Sequence, residues 1–266
     1  MRLTLPEKLH YTLRIASAMC FIGHGAFGII TKQVWCNYFA VFGIEQKLAY
    51  TLMPVVGMVD ILLGIILIFY PVRAVAAWLV GWGLLTAMLR PLSGEPFAEF
   101  IERAGNYGAP FIFLVLHGTT KNWFTRIVPV KAIDEKKINA VIRWLELIGF
   151  MILLGHGWLN VILKQGLLNQ YSALGFTNPV QVAQIVGVLE IIAAISIVIK
   201  PIRALIFLLF VWKMISELFY PHYGLFEWIE RGGSYGVLFA LWLSLRETTL
   251  KNREIPRLFN YFKKAI

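Results

Sequence analysis

Two acidic residues stand inside long apolar stretches of this chain and are the first candidates for chemistry. Asp60 and Glu190 each lie near the middle of an apolar run. An ionisable side chain inside a membrane span costs roughly 2.5–3.5 kcal/mol on insertion scales, so its presence needs a reason. One hypothesis is that each carboxylate accepts a proton or orients a ligand inside a helix bundle. The alternative is a structural acid that bonds a neighbouring helix, with Arg73 and Arg203 as candidate partners.

Two histidines, His24 and His156, each stand between two glycines. Glycine lets another backbone or a flat ring approach closely. Three roles fit this pattern: a hydrogen bond between helices, a hydrogen bond to a quinone carbonyl and, if the two imidazoles meet, ligation of a haem iron. Asn160 follows His156 by one turn where Gly28 follows His24, so we expect the two sites to differ chemically.

The two cysteines, Cys20 and Cys36, are too few for a disulfide framework and too far apart for a Cys-x-x-Cys motif. Cys20 precedes His24 by four residues, the arrangement that a histidine-activated thiolate needs. The second half has Ile152 at the position of Cys20. The alternative is that Cys20 is a small buried hydrophobe.

Two further segments, 99–103 and 227–231, combine glutamates with an arginine. On a short helix, residues at these spacings share one face. Arg103 and Arg231 would then be available to attract an anion, such as thiosulfate or a lipid phosphate, into a cavity outside the cytoplasm. The alternative is that the Glu–Arg pairs hold each segment against the following span.

Lys213 and Glu217 are spaced as an i,i+4 pair within an apolar stretch, where the first half has Gly83 and Ala87. A buried ion pair neutralises itself at a cost in desolvation. The other interpretation is that these two residues, with His222, mark the half that kept an active site.

One charge pair is expected to join the two halves of the chain, and aromatic residues are expected at the membrane surface. Arg14 and Glu146 occupy equivalent positions with opposite charge, so we expect them to pair and to pack the first and fifth spans together. Aromatic residues near the ends of the apolar segments are typical of interfacial belts. They include Trp35, Tyr38, Tyr70, Trp82, Trp212, Tyr220 and Tyr223.

The elements that must position these residues are apolar segments of membrane-spanning length. Of the 266 residues, 58% are hydrophobic and 15% charged, with a mean hydropathy of +0.69, which excludes a water-soluble globular domain. A span needs about 20 apolar residues and must form a helix to satisfy its backbone. The sequence predicts eight such helices, at 12–31, 48–70, 72–90, 104–120, 141–163, 180–199, 202–220 and 232–246. The fourth and eighth are short, so we expect them to tilt little or to lie partly inside the bundle.

The basic residues are distributed unevenly among the loops. Most of the 25 lysines and arginines fall on the side of the two termini, which predicts cytoplasmic termini under the positive-inside rule. Membrane topology therefore accounts for the net charge of +10, and no nucleic-acid partner is expected.

The chain contains an internal repeat. The Gly-His-Gly triplet at 23–25 returns at 155–157, Pro-Val-Arg-Ala at 71–74 returns as Pro-Ile-Arg-Ala at 201–204, and the segment 99–108 returns at 227–236, each about 130 residues later. The sequence predicts two four-helix repeats in the same orientation, related by an axis along the membrane normal. Their bounds are 1–120 and 140–247, with a cytoplasmic linker at 121–139 and a basic tail at 248–266.

Each half resembles the DoxX/DoxD-like membrane family. The resemblance is carried by Arg14 and a glycine-rich first helix, an acid in a Val-Gly-x-x-Asp/Glu pattern in the second, an arginine after a proline at the start of the third, and Gly-Asn-Tyr or Gly-Ser-Tyr opening the fourth. It implies a four-helix bundle like the subunits of thiosulfate:quinone oxidoreductases and of thiol-linked redox complexes. The tandem copy and the doubled Gly-His-Gly depart from the usual single-unit member.

These observations lead to one leading hypothesis and two alternatives. The leading one is a membrane component of a redox system, such as a subunit of a quinone-linked oxidoreductase, that binds a quinone or similar lipophilic partner in an outward-opening polar pocket between the repeats. The candidate ligand-binding residues are His24, His156, Asp60, Glu190, Arg103, Arg231, Lys213 and Glu217. The alternatives are a proton-coupled carrier and a non-catalytic scaffold or assembly subunit. We expect a bacterial cytoplasmic membrane protein that contacts lipid and other subunits of a complex. We expect no resident metal, and ligation of a haem by His24 and His156 is the alternative to a bound quinone.

Overall fold

The computed structural model describes residues 3–118, 120–218 and 224–248, and the regular structure in these ranges is helical. The only pairing of extended backbone there is one isolated bridge between Val72 and Arg126. The first half contains α1 (Leu5–Ile29), α2 (Trp35–Ala40), α3 (Gln46–Phe69), α4 (Arg73–Leu92), α5 (Ala98–Glu102) and α6 (Ala104–His117). The second half contains α7 (Glu135–Val161), α8 (Gln165–Ala173), α9 (Pro179–Ile199), α10 (Arg203–Leu218), α11 (Gly224–Glu230) and α12 (Gly232–Thr248).

Five of these helices, α1, α3, α4, α7 and α9, are long and apolar enough to cross a membrane. Apolar side chains cover their outer faces while polar side chains face inward. On α3, for example, Met58, Leu62 and Phe69 are exposed whereas Asp60 is buried. This inside-out distribution supports a helical integral membrane protein in contact with lipid. The three other apolar helices, α6, α10 and α12, are shorter, with 14, 16 and 17 residues.

The helix starts follow local capping chemistry. Thr4 and Glu7 form a reciprocal capping box, with the Thr4 amide donating to Glu7 Oε2 over 2.8 Å. Helix α1 therefore begins at Leu5, earlier than the span at 12–31 that hydropathy alone predicts. In the same way, Asp134 accepts from the amide of Lys137 over 2.7 Å, so α7 begins inside the predicted linker.

The helices of the two halves pack in the same pattern. Helix α1 packs against α3, and α7 against α9; α4 packs against α6, and α10 against α12. The short helices cross between halves, because α5 of the first half packs on α7 and α11 of the second packs on α1. Helices α6 and α12 contact each other, and most of their own residues are buried. Of the two alternatives predicted for the short fourth and eighth segments, a position inside the bundle is therefore the one observed.

This central position of α6 and α12 overturns one predicted contact. Helix α1 packs against α3 and α12, and α7 against α9 and α6, without an extensive contact between α1 and α7. Arg14 lies 3.3 Å from His10 Nε2 and over the ring of Tyr11, and within the described ranges no ion pair joins it to Glu146. The predicted Arg14–Glu146 pair is wrong, because two helices lie between the spans that carry these residues.

Candidate ligand-binding site

The first histidine–carboxylate pair forms where α1 meets α3. A Cβ on Gly25 would overlap the carbonyl oxygen of Gly57, so the glycines let the two backbones touch here. His24 Nδ1 donates to Asp60 Oδ2 over 2.7 Å, and Asp60 is 1% exposed. Because Nδ1 is committed to the carboxylate, Nε2 is the ring nitrogen that remains for another group.

The second pair forms in the same way where α7 meets α9. Here Gly157 lies against the carbonyl oxygen of Gly187. His156 Nδ1 donates to Glu190 Oε2 over 2.5 Å, and both side chains are buried. The two acids that the sequence singled out are therefore bonded to the two histidines that it singled out, one pair in each half.

The partners that the sequence suggested for these acids are wrong. Arg73 donates from Nε to the carbonyl oxygen of Gly118 over 2.9 Å, and Arg203 lies over the ring of Trp242 at 4.7 Å. These arginines open α4 and α10, whereas Asp60 lies more than two helical turns before the end of α3. The arginines and the acids therefore lie at different depths in the bundle.

The second pair is enclosed by further hydrogen bonds. Glu190 uses its other oxygen, Oε1, to accept from Trp212 Nε1 over 3.1 Å. Asn160 donates to the carbonyl oxygen of His156 over 3.0 Å, and its own oxygen accepts from Tyr171 over 2.7 Å. The polar groups around His156 therefore bond to one another within the protein.

The histidine of the first pair, His24, instead borders a cavity of about 140 Å³. The ring of Trp35 lies on that of His24 with their centroids 4.6 Å apart. Two polar atoms of its lining residues, Trp82 Nε1 and Asn106 Oδ1, are buried and have no hydrogen-bond partner in the part of the chain that the structure describes. The other lining residues are Tyr38, Phe39, Phe42, Val56, Leu85, Thr86, Leu89, Arg90, Arg103 and Glu230.

The position of the cavity differs from the shared pocket that the sequence predicted. Among the described lining residues, only Glu230, at the end of α11, comes from the second half, and the others belong to the first. Glu230 reaches the cavity because α11 lies directly against α1. The two helices are so close that a Cβ on Gly23 would overlap the backbone of Glu230. His156, Glu190, Lys213 and Arg231 do not line it.

The two arginines predicted to attract an anion are buried in a network of glutamates. Arg103 donates to Glu99 and Glu102, and Arg231 donates to Glu102 and lies 3.8 Å from Glu217. This geometry matches the alternative, in which Glu–Arg pairs hold the segments in place. Binding of an anion by these arginines stays a prediction.

Charges on the same network keep its glutamates ionised. Burial raises the pKa of Glu99, but Arg103, Arg90 and Lys164 outweigh that effect and lower the pKa to about 2. Burial likewise opposes ionisation of Glu102, and Arg231 and Arg103 nevertheless hold its pKa well below the usual range. Both glutamates therefore act as fixed negative charges at neutral pH.

The predicted Lys213–Glu217 pair is present, with Nζ and Oε1 3.2 Å apart and exposed fractions of 1% and 2%. At the equivalent positions of the first half, Gly83 lets α4 approach α6, since a Cβ there would lie 3.2 Å from the backbone oxygen of Asn106. In the second half an ion pair therefore occupies the region that, in the first half, is closed by the packing of α4 against α6. His222 lies outside the described residues.

The cysteines show no arrangement for catalysis. Cys20 is buried and Cys36 partly buried, and both are free thiols. In the described ranges Cys20 makes no hydrogen bond to His24, whose Nδ1 is bonded to Asp60. The position of Cys20 in the apolar core matches the alternative of a small hydrophobe.

Several interior residues escaped the sequence analysis. Trp35 and Tyr38, expected in an interfacial belt, are buried, and Tyr38 donates to Glu95 over 2.5 Å. His10 and His117, which were not singled out, lie with Nδ1 and Nε2 2.9 Å apart. One feature of the sequence could have indicated an interior position, namely that Trp82 and Trp212 stand at equivalent positions in the two halves.

The two histidines belong to separate hydrogen-bonded pairs. Within the described residues, neither a ring contact nor a shared carboxylate joins His24 to His156, and ligation of a haem between them stays a prediction. In the same part of the chain no three histidine, cysteine or acidic side chains cluster as metal ligands.

Comparison of the chain with protein-family models, with curated proteins and with solved structures gives no match. The geometry described above is therefore the basis for the functional argument.

Proposed function

We propose that this chain is an eight-span membrane protein made of two parallel four-helix repeats, and that the cavity beside His24 binds the ring of a quinone or a similar lipophilic redox partner. The equivalent helix order and packing of the two halves support the repeat. The positive-inside rule puts both termini in the cytoplasm. The resemblance to DoxX-like proteins extends the proposal to a redox complex with other subunits.

The observation that carries this proposal is the unsatisfied polarity of the cavity. A buried donor or acceptor without a partner costs about 1–3 kcal/mol. Two residues that line the cavity carry such atoms, since Trp82 Nε1 and Asn106 Oδ1 have no partner among the described residues. A bound molecule with its own polar atoms would recover part of that cost. In the second half the equivalent indole nitrogen, Trp212 Nε1, is bonded to Glu190.

The size and lining of the cavity fit one flat ring. A protein cavity of about 150 Å³ holds a benzene molecule, and this one measures about 140 Å³. Aromatic side chains form much of its wall, and Phe42 and Leu85 on its lining are exposed apolar residues. A benzoquinone ring would fit inside, with an isoprenoid tail leaving along the apolar surface.

The protein groups have defined tasks in this proposal. Asp60 fixes the tautomer and the orientation of His24 by accepting from Nδ1. His24 Nε2 is then placed to form a hydrogen bond and to hold or release a proton at a ligand oxygen. When bound, the quinone would supply two-electron, two-proton redox chemistry. The lining glutamate Glu230 is an acceptor beside His24 through which a proton can be exchanged.

The test compares equivalent variants in the two halves. We expect quinone to be recovered by organic extraction of the purified wild-type protein. We also expect a decyl-substituted benzoquinone to bind it in equilibrium dialysis against empty micelles. His24→Gln should weaken that binding up to about tenfold, the contribution of one hydrogen bond. His156→Gln, the matched control, should leave it unchanged.

Two results would contradict the proposal. One is a wild-type protein that neither contains quinone nor binds the added compound. In that case, proton-dependent uptake of a solute into vesicles would favour the carrier, and a lack of such uptake would favour the scaffold. The other is equal weakening by the two histidine variants, because His156 does not line the cavity.

A further inference from the structure

The two carboxylates differ by one methylene group, and this difference decides how many donors each can reach. Glu190 bridges two donors, with Oε2 on His156 and Oε1 on Trp212. The shorter Asp60 reaches the histidine alone. In the described part of the chain, the indole nitrogen of the equivalent Trp82 therefore has no acceptor.

The second half shows what kind of atom belongs beside that indole. An indole N–H is a donor only, so its partner must be an acceptor. At the equivalent place of the second half the acceptor is a carboxylate oxygen, next to the imidazole that the same carboxylate holds. His24 and Trp82 line one cavity in the first half, and a ligand oxygen that reached the indole N–H would supply the acceptor that it lacks among the described residues.

We propose that Trp82 determines the ligand specificity of the cavity by donating to an sp² oxygen, a quinone carbonyl or a carboxylate, at the head of an amphipathic molecule. Asp60 acts as a positioning residue, because its short side chain holds His24 but leaves free the position beside the Trp82 indole N–H. The inference rests on the proposed function in taking the cavity as a ligand site, and it adds the chemical group that is recognised there.

Two sources of such an oxygen are separated by the choice of probe. A decyl-substituted benzoquinone carries carbonyl oxygens, and dodecanoate carries a carboxylate. Dodecanol has a similar chain but a hydroxyl head. Only the first two present the sp² oxygen seen on Glu190, so dodecanol is the comparison compound.

The experiment observes the indole N–H groups directly. In protein labelled with ¹⁵N-tryptophan, each of the 9 tryptophans contributes one indole signal, and Trp82→Phe identifies that of Trp82 by its loss. We expect benzoquinone or dodecanoate to move this signal downfield, and dodecanol to leave it in place. Trp82→Phe should weaken binding of the active probe by about three- to tenfold, and the matched control Trp212→Phe should not.

A second variant tests the role of the short acid. Asp60→Glu gives the first half the same side chain as the second, so its free oxygen should occupy the place beside Trp82. We expect the Trp82 signal to shift without a ligand, and the probe to bind more weakly. An unshifted signal and unchanged binding in a folded Asp60→Glu protein would overturn the assignment of Asp60.

The outcomes separate this inference from the proposed function. If dodecanoate moves the Trp82 signal and benzoquinone does not bind, the donor role stands and the quinone function fails. If benzoquinone binds and neither probe moves the signal, the function stands and the donor role fails. If dodecanol moves the signal as far as the other probes, the sp² requirement is wrong. If no compound binds to the wild-type protein, both fail.

Discussion

The His24–Asp60 and His156–Glu190 pairs share their helix packing but differ in their surroundings. Both form where two helices touch through glycine, and both acids are buried. Around His156, Trp212 bonds to Glu190 and Asn160 bonds to the backbone of His156. Around His24, glycine replaces Asn160, and a cavity with unpartnered polar atoms is present.

This difference shows how two copies of one site can separate structural and binding roles. A fully bonded polar cluster stabilises the fold, whereas a partly bonded one costs stability until something fills it. The two halves differ at few positions near these pairs. The second half has Glu190 where the first has Asp60, Asn160 where the first has a glycine, and Lys213 and Glu217 where the first has two small residues. The predictions below test whether the halves really differ in this way.

The largest expected effect concerns Glu102, where the halves meet. This glutamate accepts from both Arg103 and Arg231. Removing its charge leaves two buried guanidinium groups short of a partner, so Glu102→Gln should lower the free energy of unfolding by about 3–5 kcal/mol. Unfolding by sodium dodecyl sulfate in mixed micelles, followed by circular dichroism, measures the loss.

The matched control is the equivalent residue of the second half, Glu230, which borders the cavity and, unlike Glu102, accepts no hydrogen bond from either arginine among the described residues. Glu230→Gln should cost clearly less than Glu102→Gln. Equal losses would mean that the asymmetry at the centre of the molecule has no energetic consequence.

A second prediction concerns a feature in which the halves should behave alike. A Cβ on Gly23 would overlap the backbone of Glu230, and a Cβ on Gly155 would overlap that of Glu102. Gly23→Ala and Gly155→Ala should therefore each lower the free energy of unfolding by about 1–3 kcal/mol. The same detergent titration measures both variants.

Gly81 provides the control for this pair, because no described atom lies within 4 Å of the place that its Cβ would take. Gly81→Ala should be neutral or slightly stabilising, as expected for a better helix former. A large loss at only one of the two packed positions would contradict the shared scaffold.

The apolar segments and the interior acids were accessible from the sequence because they depend on local composition. Hydropathy located every long helix to within a few residues, except where a capping residue such as Thr4 or Asp134 started the helix early. Asp60 and Glu190 stood out because a charge in an apolar run needs a partner. The number of spans and the repeat architecture remain proposals.

The pairing of residues was not accessible, because it depends on how helices are rotated and where they cross. The sequence suggested Arg73 as the partner of Asp60, but the close helix contact at the glycines 25 and 57 brings His24 to that acid instead. Arg14 and Glu146 looked complementary, but α6 and α12 fill the centre. The cavity depends on volume differences of a few methylene groups, which no sequence periodicity reveals.

The smallest expected effect is a difference in acid sensitivity between two equivalent glutamates. Glu99 is contacted by Arg103 and Lys164, whereas Glu227 is contacted by Lys32. The pKa of Glu99 in the folded protein is about 2, below the ordinary value of 4.5. Its ionisation therefore stabilises the fold fully above about pH 4.5, and this contribution is lost as the pH falls towards 2.

Thermal unfolding in detergent between pH 7 and pH 3 measures this contribution. The unfolding temperature of the wild-type protein should be nearly constant down to about pH 5 and then decrease. Glu99→Gln should start from a lower temperature and show a smaller decrease, because the group that titrates has been removed. Glu227→Gln, which leaves the cations around Glu99 in place, is the matched control. If the two variants respond alike, the stronger cation shell around Glu99 does not govern acid stability, and the halves are equivalent at this level.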